Sequence, residues 1–304
     1  MARVRERADA EFEGKVDIKN RLTRLTPETI MNWDYISCPP PIVSNFGSSA
    51  HGVLASGDQF GAIFPGPNGE MYPVQCSNVG AFTAAGNYFS VQAGSSVATD
   101  TNNTAGGLNL QGDDETADNL GIEMIIGGTA MGGGASCTIG THAMTFNATF
   151  YSEDWTDHDA VTIGFRKVAA FETGHGAILA AASGDPLYTD FVAFGVQSAD
   201  DVQIATALND GARTYTDSTD ATAASKNHRF KVTVTSAGVV TYEHVGAAVM
   251  DAGTLAAPTT TAAYTFDDGD VVVPYLIVQG TNQDSDILLK SITVTRSPGI
   301  SYQN

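Results

Sequence analysis

Clusters of acidic side chains are the groups in this sequence whose spacing comes nearest to a metal site. Asp267, Asp268 and Asp270 stand directly before an apolar run that begins at Val271. Carboxylate oxygens are the hard ligands that Ca²⁺ prefers. The spacing lacks the regular alternation and the closing Glu of an EF-hand loop. The three aspartates are therefore calcium candidates, beside the simpler interpretation of a solvated acidic turn, and we expect no other cofactor.

Side chains that could catalyse a reaction are sparse. The acidic cluster Glu153–Asp159, which includes Trp155, is interpreted first as a solvated turn between two strands. No two histidines have the spacing of a helical metal site, and no serine lies in a Gly-x-Ser-x-Gly elbow. The glycine-rich stretch Gly127–Gly134 is followed by no lysine, so it does not fit a phosphate-binding loop. We therefore expect that the protein is not an enzyme.

The charge of the chain excludes two broad classes of function. It has 15 Lys and Arg against 34 Asp and Glu, a formal charge of −19, and no Lys or Arg occurs between Arg24 and Arg166. Binding nucleic acid through its phosphates needs clustered Lys and Arg. No apolar run reaches the roughly 20 residues that a membrane-spanning helix needs. We expect neither direct nucleic-acid binding nor membrane insertion.

Residues 1–45 are predicted to form an N-terminal arm and linker. Few large apolar residues occur among the mixed charges of residues 1–30, so this part cannot bury enough surface to fold alone. Thr26-Pro27-Glu28 has the N-cap and the first-turn proline of a short helix, and Pro39–Pro41 favours an extended linker. The segment is either a flexible tail or an arm that becomes ordered against a partner. The candidate partner-docking residues are Arg3, Arg5, Arg7, Arg21, Arg24, Trp33 and Tyr35.

The body, residues 46–304, is predicted to be a single domain of β-strands. Phe230–Thr235 alternates apolar and polar residues, as a half-buried strand does. Ser236-Ala237-Gly238 provides a turn, and Val239–Glu243 returns as the partner strand. Other short strand candidates, separated by turn residues, follow at a spacing that is typical of an antiparallel sandwich. They are residues 88–92, 120–126, 143–151, 160–168, 190–196, 202–208, 271–278 and 287–295.

The second half of the chain resembles a known sandwich family. The stretches Phe146–Tyr151, Asp159–Arg166, Asp190–Gly195, His228–Val232 and Ile287–Val294 follow the order of elements in the concanavalin A-like lectin and glucanase fold. The pattern is also similar to jelly-roll domains of tailed-phage structural proteins. The resemblance implies an all-β fold, an antiparallel jelly-roll β-sandwich with an extended or short-helical N-terminal arm.

The same resemblance implies three alternative functions. The first is a non-enzymatic virion structural protein, a capsid decoration or cement subunit that attaches through its arm. The second is a carbohydrate-binding tail fibre or adaptor, in which exposed loop aromatics such as Trp155 stack on a sugar. The third is a glucanase-like hydrolase, which we favour least. Glucanases of this fold place two glutamates and an aspartate at alternating strand positions, and that pattern is absent from the sequence.

The first alternative carries expectations about partners and location. The protein would bind other virion proteins, above all the major capsid protein, and would be made in the host cytoplasm. We expect a homo-oligomer, with a trimer favoured because it suits sites of local threefold symmetry. Under the second alternative, a host-surface glycan is the expected partner.

Overall fold

The computed structural model describes most of the chain from residue 27 to residue 298. The described residues are 27–39, 41–44, 59–79, 90–92, 106–110, 120–127, 135–152, 155, 158–171, 178–179, 188–197, 201–280 and 287–298. Within these ranges, no helix has the length and apolar character that crossing a membrane would require. The described secondary structure consists almost entirely of strands.

Two antiparallel sheets make up the fold. The smaller sheet contains, in spatial order, β15 (Val240–Ala247), β14 (Lys226–Val234), β9 (His142–Ser152), β17 (Leu288–Pro298), β6 (Gly107–Asn109) and β5 (Ser90–Gln92), with β1 (Glu28–Asp34) also paired to β17. The larger sheet contains β13 (Thr214–Ala221), β12 (Asp201–Ala207), β11 (Phe191–Gln197), β10 (His158–Lys167), β16 (Val271–Gly280), β7 (Leu120–Ile126), β4 (Met71–Val79), β3 (Gln59–Pro65) and β2 (Ile42–Ser44), with β8 (Cys137–Thr138) also paired to β16.

The space between the sheets holds the main hydrophobic core. Alternate side chains of each strand point into it, as the pleat of a strand requires. Phe146 on β9 meets Phe165 on β10 with ring centroids 6.5 Å apart. The predicted hairpin is present, because β14 pairs antiparallel with β15 and Val232 lies opposite Tyr242. The antiparallel β-sandwich predicted from the sequence is confirmed.

A second hydrophobic core covers the outer face of the larger sheet. The sheet itself contributes side chains to this core, such as Ile277 on β16 and Ala193 on β11. Phe171, Leu179 and Tyr188, from the connection between β10 and β11, pack over them. The central strands of this sheet are therefore buried on both faces, which explains the almost continuous burial along β11 and β12.

β1 differs from the short helix expected at this position. Glu28 begins a strand that runs antiparallel to β17, with Trp33 opposite Ile292. Met31 and Trp33 are buried while Asn32 between them is exposed. This alternation of period two is that of a strand, and the burial it gives overrides the local helix signals. The sandwich therefore includes β1 and β2, and a separate arm can comprise only residues that precede β1.

Candidate functional site

Glu123, Arg166 and Tyr188 form a buried polar cluster on the outer face of the larger sheet. Glu123 on β7 lies between Ile122 and Met124, and Arg166 on β10 follows Phe165; because these three neighbours face the main core, both polar side chains point outward. Arg166 Nε donates a hydrogen bond to Glu123 Oε1 at 2.9 Å, and the Tyr188 hydroxyl donates to Glu123 Oε2 at 2.6 Å. The side chains of the ion pair have no exposed surface. The second core therefore encloses them.

The remaining contacts of Arg166 hold the cluster in place. Its Nη1 donates to the carbonyl oxygens of Lys167 at 3.2 Å and Ala169 at 3.1 Å. Its guanidinium carbon lies 4.0 Å from the ring centroid of Tyr188, a cation–π geometry. Since both oxygens of Glu123 accept hydrogen bonds and no surface is open above them, this carboxylate cannot reach a substrate as a general base. The cluster is suited to a structural role.

A row of polar side chains crosses the outer face through this cluster. The register of six adjacent strands places Ser77, Glu123, Thr162 and Gln203 on one line. The side-chain oxygens Oγ of Ser77, Oγ1 of Thr162 and Oε1 of Gln203 are buried and lack a hydrogen-bond partner. This row was not predicted from the sequence. A signal was present in Glu123, an acid within an otherwise apolar strand, but the alignment of six strands cannot be read from one sequence.

One of the calcium candidates, Asp270, pairs with a lysine. Lys167 Nζ lies 2.6 Å from Asp270 Oδ1 and 3.8 Å from Asp190 Oδ2. The hydrogen bond to Asp270 is the main reason that the pKa of Lys167 is raised. Asp267 instead accepts a hydrogen bond from Asn209 Nδ2 at 3.2 Å.

This arrangement does not support the calcium hypothesis for Asp267, Asp268 and Asp270. The ammonium group of Lys167 already supplies the positive charge beside Asp270. In the described part of the chain, no three acidic, histidine or cysteine side chains are grouped so that they could hold a metal ion.

Trp155 is not the exposed sugar-stacking aromatic that the second alternative requires. Its side chain is fully buried, and its ring meets that of His228 edge to face with centroids 5.0 Å apart. No aromatic side chain whose burial the structure describes is exposed. Most of the acidic cluster around Trp155, including Glu153, lies outside the described residues.

His228 and His244 form a hydrogen-bonded pair at one end of the main core. Nδ1 of His228 lies 2.9 Å from Nε2 of His244, and the rings are stacked. Nε2 of His228 lies 3.3 Å from both the amide nitrogen and the carbonyl oxygen of Ala223. In the neutral ring, Nε2 accepts from the amide when the proton is on Nδ1 and donates to the carbonyl oxygen when the proton is on Nε2. Burial is the largest cause of the lowered pKa values, about 4 for His228 and about 3 for His244.

We expect the free energy of unfolding to fall as the pH is lowered from about 6.5 towards about 4. The unfolded chain takes up protons near the ordinary histidine pKa, while the folded pair resists protonation. The contribution of the neutral pair to the free energy of unfolding is therefore complete above about pH 6.5. It is lost as the pH falls towards the pKa values of the folded state, by about 1.4 kcal/mol per pH unit for each histidine. Urea unfolding of the wild type and of the double variant His228→Gln/His244→Gln measures this. If the free energy of unfolding changed equally with pH in the two proteins, the expectation would be contradicted.

The predicted docking residues Trp33 and Tyr35 belong to the sandwich itself. Trp33 lies in the main core, where its ring meets Phe64 with centroids 5.3 Å apart. Tyr35 is half-buried, and its ring centroid lies 5.7 Å from Nζ of Lys290. Burial lowers the pKa of Lys290 to about 8. The interpretation of Trp33 as a docking residue is thus wrong, because its surface is used by its own fold.

The basic members of the predicted docking set lie outside the described residues. They are Arg3, Arg5, Arg7, Arg21 and Arg24. Their role in an arm stays a prediction.

Comparison with known proteins gave similar solved structures. No family model and no curated protein sequence matches the chain. The seed lectin of Lotus tetragonolobus is 12% identical, with a TM-score of 0.41 over 70% of this chain and 94% of the lectin. Lectin I of Ulex europaeus, solved with the methyl glycoside of α-L-fucose, is 12% identical, with a TM-score of 0.44 over 74% of this chain and 98% of the lectin. An alginate lyase from Pseudomonas aeruginosa is 10% identical, with a TM-score of 0.40 over 70% of this chain and 92% of the lyase.

The likeness is one of fold. The two-sheet antiparallel architecture is the one that the resemblance to concanavalin A-like sandwiches implied. The two antiparallel sheets and their strand order establish the sandwich independently of these matches.

Proposed function

We propose that the protein is a non-enzymatic structural subunit of a virion, which attaches to another virion protein through the residues that precede β1. The observation that carries this proposal is the second hydrophobic core. Phe171, Leu179 and Tyr188 pack over the outer face of the larger sheet, where an open sandwich would offer a groove. A sheet that is buried on both faces serves as a rigid body.

The charged side chains near this face are used within the fold. Arg166 pairs with Glu123 in the second core, and Lys167 pairs with Asp270 at its border. Nucleophile, base and oxyanion-binding groups must converge on an accessible point for catalysis. The described clusters instead satisfy one another, which supports a structural role over a hydrolase.

The segment before β1 supplies the attachment element of the proposal. Residues 1–26 hold seven basic side chains against five acidic ones, whereas the whole chain has a charge of −19. Because Met31 and Trp33 fix β1 in the core, this segment is joined to the sandwich directly at β1. An arm that becomes ordered against an acidic surface of a capsid protein would gain ion pairs there. Many copies on a lattice would strengthen the attachment.

Deleting residues 1–26 is expected to abolish attachment and to leave the sandwich folded. The free energy of unfolding should stay within about 0.5 kcal/mol of the wild type, because no described contact of the core is removed. The measurement is co-sedimentation of the purified truncation with particles that lack this subunit. A full-length variant with serine at Arg3, Arg5, Arg7, Arg21 and Arg24 tests the basic side chains separately.

The design of this truncation follows from the position of β1. A deletion of residues 1–34 also removes Trp33 from the core and serves as the folding-defective control. Normal attachment by the folded 1–26 deletion would overturn the proposal. Binding of that truncation to a glycan array would then favour the carbohydrate-binding alternative.

A further inference from the structure

The outer face of the smaller sheet presents an ordered set of uncharged polar side chains. One cross-strand row consists of five threonines, one from each of five neighbouring strands. They are Thr241 on β15, Thr233 on β14, Thr145 on β9, Thr295 on β17 and Thr29 on β1. All five are exposed or half-buried. Oγ1 of Thr145 and Oγ1 of Thr233 lie 3.2 Å apart, so the row is hydrogen-bonded across strands.

The next rows of this face extend the same chemistry. Asn147 on β9, Thr293 on β17 and Asn32 on β1 lie on one line across three strands. Ser291 on β17 lies opposite Thr149 on β9, and its hydroxyl donates to Oγ1 of Thr149 at 3.0 Å; Thr149 itself is buried, so the open part of the face ends at this row. Hydroxyl and amide groups both donate and accept hydrogen bonds. A surface built from them can therefore satisfy a copy of itself.

Charge on this face is nearly balanced, in contrast to the chain as a whole. Lys231 and Glu243 form an ion pair across β14 and β15, and Arg229 Nη1 lies 3.4 Å from Asp251 Oδ1. Asp34 on β1, which lies opposite Ser291, adds one negative charge. With a charge of −19, two copies repel each other through most of their surfaces. Contact through this face opposes far fewer like charges.

The size of the face matches what a stable contact needs. The five strands β15, β14, β9, β17 and β1 have 8, 9, 11, 11 and 7 residues. At about 3.4 Å per residue and about 4.8 Å between strands, the face covers about 750 Å², close to the roughly 800 Å² per partner of a typical specific interface. Sheets that pack face to face lie about 10 Å apart, which suits short side chains such as Thr, Ser and Asn.

We infer that the outer face of the smaller sheet is the contact surface for a second copy of this chain, in a twofold-symmetric dimer. The contact is isologous, so each threonine row lies against the same face of the partner copy. This surface is separate from the segment before β1, and the inference does not depend on attachment to a virion. It replaces the trimer expected from the sequence with a dimer.

The test is the oligomeric state of the purified full chain, measured by sedimentation velocity over a range of concentrations. The wild type is expected to form a dimer. The variant Thr145→Glu/Thr293→Glu should raise the dimer dissociation constant at least tenfold, because four carboxylates then face one another in the symmetric contact. Both threonines are half-buried and point outward, so the monomer should remain folded, which far-ultraviolet circular dichroism verifies.

The matched control is Thr214→Glu/Thr261→Glu, which adds the same charge at exposed threonines elsewhere. This control should dimerise like the wild type. A wild-type protein that stays monomeric, a trimer, or a dimer that the face variant leaves unchanged would each overturn the inference. If the monomeric wild type instead sediments with insoluble polysaccharide, and the face variant does not, the rows are a glycan-binding surface.

Discussion

Trp33→Ala is expected to lower the free energy of unfolding by roughly 3–5 kcal/mol. The side chain is 1% exposed in the main core, where it packs against Phe64. Its Nε1 also donates a hydrogen bond to the carbonyl oxygen of Pro39 at 3.2 Å. Removing the indole leaves a cavity and also frees that carbonyl group. Urea unfolding followed by circular dichroism measures the change.

The control for Trp33 is Ile36→Ala, three residues further along the chain. Ile36 is 75% exposed, so its removal should change the free energy of unfolding by no more than about 0.5 kcal/mol. If Trp33→Ala were as mild as the control, β1 would not be an integral strand of the sandwich. The interpretation of Trp33 as a partner-docking residue would then be restored.

Arg166→Met is expected to destabilise the fold by roughly 3–5 kcal/mol, because it leaves the carboxylate of Glu123 charged and unpaired in the second core. The double variant Arg166→Met/Glu123→Leu removes both charges and should recover most of this loss. A double-mutant cycle, with Glu123→Leu as the other single variant, measures the coupling between the two side chains.

An exposed ion pair provides the comparison for Arg166. Asp251→Asn removes the partner of Arg229, and 62% of the Asp251 side chain is exposed. We expect a change below about 1 kcal/mol. A similarly small effect of Arg166→Met would mean that solvent reaches Glu123. The outer face of the larger sheet would then be open, which would remove the main support for a structural role.

The parts of the fold that the sequence predicted are those encoded locally. Alternation in Phe230–Thr235 and the turn at Gly238 gave the β14–β15 hairpin, and the spacing of the other strands gave the sandwich class. The start of β1 was missed because its partner strand is distant in sequence. The Thr-Pro-Glu signal of a helix is local, whereas the burial of Trp33 against Phe64 is a property of the assembled sheets.

The polar clusters were missed for the same physical reason. Glu123 and Arg166 are 43 positions apart, and only the register of β7, β16 and β10 brings them together. Whether Asp270 could bind calcium likewise depended on Lys167, which lies on another strand and forms an ion pair with it. Residue types can therefore nominate a site, but cross-strand neighbours decide whether its charges are free or already paired.

The pairing of β1 with β17 has a consequence for biosynthesis. Glu28 and Arg296, which form an ion pair at one end of this contact, are 268 positions apart. The smaller sheet therefore cannot close until β17 has left the ribosome. Met31 and Trp33 stay without their native neighbours until then, and closing so long a loop makes folding slow. Synthesis of β17, rather than emergence of the leading half of the chain, thus sets the earliest moment at which this sheet can form.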